Sequence, residues 1–78
     1  MQIQKKIKDI KFSYQNVYGE TMKVSEPIVM ASAAGWYVGA ICKTDGFVEP
    51  FDRFTDYFAT PEEANVVLTT PMEQGGFA

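Results

Sequence analysis

Residues 36–48 read Trp36-Tyr37-Val38-Gly39-Ala40-Ile41-Cys42-Lys43-Thr44-Asp45-Gly46-Phe47-Val48. Alternation places Trp36, Val38, Ala40 and Cys42 on one face of a strand over 36–43, and Tyr37, Gly39 and Ile41 on the other. Both faces are largely apolar, so this strand is expected at the centre of a sheet, covered on at least part of each side. Asp45-Gly46 between apolar runs is a hairpin signal, because a tight two-residue turn needs positive φ at both positions. Phe47 and Val48 then begin a returning strand. Pro50 is expected to interrupt it, since proline has no N–H to give to a ladder. Gly39, in mid-strand, marks a bulge or a place where a ring or another backbone packs closely.

N-terminal to this hairpin, Ile10, Phe12 and Tyr14 alternate with Lys11 and Ser13, the period of a half-buried strand within residues 7–14. Residues 16–19 carry turn chemistry ending in Gly19. Residues 20–25 alternate again, with Met22 and Val24 on one face and Thr21 and Lys23 on the other. Pro27 marks an edge, a bulge or a strand end; residues 28–31 continue beyond it, and Ala33-Ala34-Gly35 turns the chain. C-terminal to the hairpin, residues 49–58 read as a loop leading into a short strand at Tyr57-Phe58. Thr60-Pro61-Glu62-Glu63 is a helix start: Thr60 accepts from the Glu63 amide, Pro61 occupies the first helical position, and Glu63 can reach back to the Thr60 amide. The helix is expected to bury Ala64, Val67 and Leu68 and to stop at Thr69-Thr70-Pro71. The expectation is an α+β fold: a three- to four-stranded antiparallel sheet with one short C-terminal helix packed on one face. Residues 1–70 form a single domain and 71–78 a flexible tail.

The chain has 78 residues, 46% hydrophobic and 14% aromatic, which argues against intrinsic disorder. It contains no histidine and one cysteine, Cys42. That excludes histidine-based triads, Cys–His nucleophiles, zinc fingers and internal disulfides. No stretch approaches the ~18 apolar residues of a membrane span. The lysine-bearing start lacks the apolar core of a secretory signal. A single thiol suits a reducing cytoplasm, and cytoplasmic localisation is expected. No cofactor or metal is implied.

The net charge of −3 is unevenly spread. Lys5, Lys6, Lys8 and Lys11 stand against Asp9 at the start, whereas from residue 45 onward seven acids stand against Arg53 alone. Such asymmetry points to an interaction surface more than to a fold. The acidic half disfavours direct nucleic-acid binding and favours a basic partner surface, such as one that itself holds nucleic acid. Residues 45–57 combine these charges with rings, the composition of a protein-interface hot spot. The candidate partner-binding residues are Asp45, Glu49, Asp52, Arg53, Phe54 and Asp56. Catalysis is not expected: Cys42 has no activating base, Glu62 and Glu63 are explained by capping, and so short a chain leaves little room for a cleft between opposed carboxylates. Two alternatives stand beside this reading. One is a self-associating module, in which a second copy buries the apolar residues that one short helix cannot cover. The other is a nucleic-acid binder using the basic N-terminal strand.

The run Trp36-Tyr37-Val38-Gly39, then Phe51-Asp52-Arg53, then Tyr57-Phe58-Ala59-Thr60-Pro61-Glu62-Glu63-Ala64 resembles small single-domain αβ proteins of phages and mobile elements. That class includes anti-CRISPR and other host-takeover inhibitors. The resemblance covers about residues 36–68 and implies a stoichiometric inhibitor of a host protein or protein–nucleic-acid complex; it carries no catalytic residue with it. The Met1-Gln2-Ile3 opening and the Gly75-Gly76 pair resemble ubiquitin superficially. That grasp fold needs its main helix after the first hairpin, where this chain has Pro27 and strand-forming residues.

Overall fold

A computed structural model describes residues 2–78. Six strands, β1 (Gln2–Ile3), β2 (Phe12–Val17), β3 (Glu20–Ser25), β4 (Ile28–Ser32), β5 (Gly35–Thr44) and β6 (Phe47–Arg53), form one antiparallel sheet, followed by the helix α1 (Pro61–Thr69). The α+β class and the C-terminal helix agree with the sequence reading. The strand count does not: the described residues form six strands, not three to four. β5 is central. β6 pairs along one side of it; β4 pairs with the first half of its other side and β3 with the second half. β2 lies outside β3, and β1 outside β4.

β3 and β4 are two halves of one bent strand, and Ser25 makes the bend possible. Lys23 and Val24 face Lys43 and Cys42, but Ile28 faces Gly39, so the register slips by one residue across Ser25–Pro27. The Ile41 amide thereby loses a backbone acceptor. It donates to Ser25 Oγ at 2.9 Å, and that hydroxyl donates to the Glu26 carbonyl at 2.8 Å. Among the described residues Ser25 is the one buried polar residue in a core of apolar ones.

Both turns read from glycine pairs are present. Tyr18-Gly19 and Asp45-Gly46 each hold two successive positive φ angles (50° and 84°, 51° and 84°), the geometry that matches strand twist in a two-residue hairpin.

Pro50 does not interrupt β6. It faces Ile41, while Asp52 faces Ala40, so Phe51 is an extra residue in the ladder. Proline is tolerated because β6 is an edge strand and the amide it lacks would point away from β5. Residues 49–53 therefore belong to the sheet and not to a loop. The expected strand at Tyr57-Phe58 reduces to a single bridge, in which Phe58 and Trp36 exchange both backbone hydrogen bonds. Gly39 combines both readings offered for it. The ladder shifts beside it, and a Cβ there would meet the Asp52 carbonyl and lie 2.8 Å from the Tyr37 ring.

The sheet is covered on both faces. On one, α1 packs Ala64, Val67 and Leu68 over Val29, Val38, Trp36 and Phe58. On the other, the N-terminal segment brings Ile3, Ile10 and Phe12 over Ile28, Met30, Tyr37 and Ile41. Part of the apolar surface beyond the reach of the helix is thus covered within the chain, while Tyr14, Tyr18, Phe47, Val66 and Met72 stay exposed. This also revises the basic strand: Ile7–Asp9 is a 3₁₀ turn, so Lys5, Lys6, Lys8 and Lys11 lie on the covering segment between β1 and β2. Thr60 caps α1 through Glu63 N–H at 3.2 Å. Residues 71–78 fold back: Ala78 and Thr70 share a hydrogen bond, Met72 donates to Ala78, and Phe77 joins the layer under α1.

Candidate protein-interaction site

All six candidate residues are exposed on the β6 flank. Asp45 sits at the hairpin tip; Glu49, Asp52 and Arg53 lie on β6; Phe54 and Asp56 follow it. How these side chains divide between the faces depends on the bulge. Paired residues share a face, so Glu49 goes with Cys42 and Asp52 with Ala40, both on the α1 side of β5. Without the extra Phe51, strict alternation would send Glu49 and Asp52 to opposite faces. With it, Phe47, Glu49, Asp52 and Phe54 form one row from the hairpin tip toward the helix. Phe54 ends the row stacked on Phe77, with centroids 5.7 Å apart and rings inclined at 30°.

Arg53 faces the other way. Its guanidinium lies 4.6 Å from the Tyr57 ring centroid, and Nη1 donates to the Thr55 carbonyl at 2.6 Å. Tyr57 in turn meets Tyr37 edge-on, with centroids 5.6 Å apart. Burial, with Tyr57 alongside, raises the Tyr37 phenol above its ordinary value. Arg53 thus serves an internal stack and stands apart from the Glu49–Asp52 row. The one carboxylate within ion-pair reach of its guanidinium among the described residues is that of Asp56, at 3.8 Å, on a fully exposed side chain. At that exposure and distance the pair is weak.

The backbone edge of this flank is interrupted. Pro50 has no N–H, and the Arg53 N–H is taken by Asp52 Oδ1 at 2.8 Å. Beyond the end of β6, Thr55 Oγ1 accepts from the Val38 amide at 3.0 Å, where a seventh ladder residue would otherwise sit. Cys42 is buried behind Glu49, its Sγ 3.9 Å from Oε1; burial first, and then the Glu49 charge, push the thiol pKa up. Among the described residues no three His, Cys, Asp or Glu side chains gather as a metal-binding group. Among the described residues no helix is long and apolar enough to cross a membrane.

Sequence reasoning counted the Phe47 ring in the 45–57 segment but left it out of the six candidate residues, and it missed Phe77. Phe47 is 77% exposed and opens the row. Its alternation with Glu49 was legible, but the bulge that prolongs the row to Asp52 was not. On the N-terminal side, Lys5 is held by Glu26 Oε2 at 3.1 Å. Comparison with protein-family models, curated proteins and solved structures yields no match to this chain.

Proposed function

We propose that this protein acts by binding, without catalysis, and that it blocks a basic, nucleic-acid-holding surface of a host protein or complex through its β6 flank. The observation that carries this reading is the unneutralised charge along one edge. Asp45, Glu49, Asp52 and Asp56 are all exposed, and the one ion pair among them is the 3.8 Å contact to Arg53. Carboxylates held along one flank with no close cation to neutralise them keep their field for an incoming cation, which speeds and orients encounter. Phe47 and Phe54 supply apolar anchors within the same row. The blunted strand edge means that a partner is read by side chains and not by strand addition. The resemblance to phage and mobile-element inhibitors supplies the inhibitory sense and a cytoplasmic site of action in the host cell.

The test is affinity capture from host lysate with wild type and with the quadruple variant Asp45→Asn, Glu49→Gln, Asp52→Asn, Asp56→Asn. A partner retained by wild type at low salt, and lost both at high salt and with the variant, is expected. Equal retention by the variant in high salt overturns the reading.

A further inference from the structure

The two long edges of the sheet are built differently, and the contrast assigns a role to the second one. β6 carries proline, a bulge and acids, the devices by which natural sheets prevent edge pairing. β2 has none of them. Its residues Phe12-Ser13-Tyr14-Gln15-Asn16-Val17 include no charge and no proline, and they pair with β3 in unbroken register. The backbone directions on β2 follow from the hairpin. Val17 and Glu20 flank a two-residue turn, and Glu26 N–H donates to the Lys11 carbonyl at 2.9 Å. Residues 11, 13, 15 and 17 therefore bond inward to β3, and Phe12, Tyr14 and Asn16 direct their N–H and C=O groups outward. No strand pairs with that edge among the described residues, and Ser13 to Asn16 are all exposed, Tyr14 by 71%.

The geometry points to β2 as the edge through which two copies of this chain pair, antiparallel, about a two-fold axis at Tyr14. In that register Tyr14 lies opposite Tyr14 of the second copy, and Phe12 opposite Asn16, so the three outward residues of each copy meet their counterparts. A second copy meets no like charge on the pairing strand itself, and the nearest cation, the Lys23 ammonium, lies over its own Tyr14 ring at 5.4 Å from the centroid. The interface strand is uncharged, and it lies three strand positions from β6, at the far side of the sheet. Pairing through β2 yields an eight-position sheet whose acidic flanks sit about 34 Å apart, taking roughly 4.8 Å per strand. That is several times the ~8 Å screening length, so the two flanks do not oppose association. Pairing through β6 would instead set the acids face to face. Six residues of edge cover less than a standard interface, as in weak and transient associations.

Sedimentation velocity of the full chain across low to high micromolar concentrations is expected to show reversible dimerisation. Tyr14→Lys sets two ammonium groups directly opposite and should raise the dissociation constant about tenfold or more. Phe47→Lys, on the other hairpin, should leave it unchanged. Tyr14→Cys gives an independent readout. Opposed residues of a hydrogen-bonded pair have Cα atoms roughly 5.5 Å apart, within disulfide reach, so mild oxidation should yield a covalent dimer. Phe47→Cys should not. A chain that stays monomeric throughout, a dimer indifferent to Tyr14→Lys, or cross-linking at Phe47→Cys in place of Tyr14→Cys overturns the assignment.

Discussion

Ser25 shows how one hydroxyl lets an edge-to-centre strand bend without leaving a core amide bare. The Ile41 amide is inside the fold, on a residue with 0% exposure, and Ser25 Oγ is its acceptor. Ser25→Ala removes that acceptor and should cost about 1–3 kcal/mol, the usual penalty for a buried donor left unpaired. Urea denaturation would read this as a lower midpoint at unchanged slope. The neighbouring Glu26 makes stability depend on acid. The Lys11 backbone N–H at 2.8 Å, followed by the Lys5 ammonium, lowers its carboxyl pKa below the ordinary 4.5, against the opposing effect of burial. Because the folded value is the lower one, the stabilisation is complete above the unfolded value and is lost as pH falls through the folded one. Glu26→Gln should therefore be less stable than wild type at neutral pH, with the gap closing below 4.5. Thermal melts at several pH values check this; a gap that does not change with pH contradicts it.

At the scale of elements, α1 and β6 illustrate opposite balances of local and long-range forces. The helix start is written locally: Thr60 caps through its own side chain, Pro61 follows, and Glu62 and Glu63 lie in the first turn, where the helix dipole favours them. Thr60→Ala should cost about 1 kcal/mol, measured by thermal or urea unfolding. Glu63 does not return a bond to the Thr60 amide, so the cap is one-sided, and Glu63→Gln should matter less than Thr60→Ala. β6 has no such local warrant. Its proline and its flanking acids all read as loop, and it is a strand because β5 presents an uncovered ladder on that side. The bulge at Phe51 lets the chain keep pairing past Pro50, and it also sets Glu49 and Asp52 on one face.

For the whole molecule, the distribution of charge between the two edges decides which association each can support. The acidic edge should bind more weakly as salt rises, because its exposed charges act through solvent. The uncharged β2 edge should be nearly indifferent to salt. Measuring capture and self-association across the same salt series separates the two surfaces without any substitution, and a common dependence would mean that one surface serves both. If both hold, a dimer carries its acidic flanks at opposite ends and can engage two basic sites at once.

Much of this was legible from local chemistry. Alternation over 36–43, the Asp45-Gly46 turn and the Thr60–Glu63 start each follow from the conformations open to a few neighbouring residues, and each is where it was expected. The exposed position of Asp45, Glu49, Asp52, Arg53 and Asp56 follows from their charge; Phe54 is exposed beside them. Three things required the assembled fold: the strand through Pro50, the parting of Arg53 from Glu49 and Asp52, and the docking of Phe77 onto Phe54. Each depends on residues far apart in the chain, and its energy comes from pairing and burial that exist only once β5 is flanked. A proline's missing amide is harmless or ruinous according to which way it points, and that direction belongs to the sheet and not to the proline.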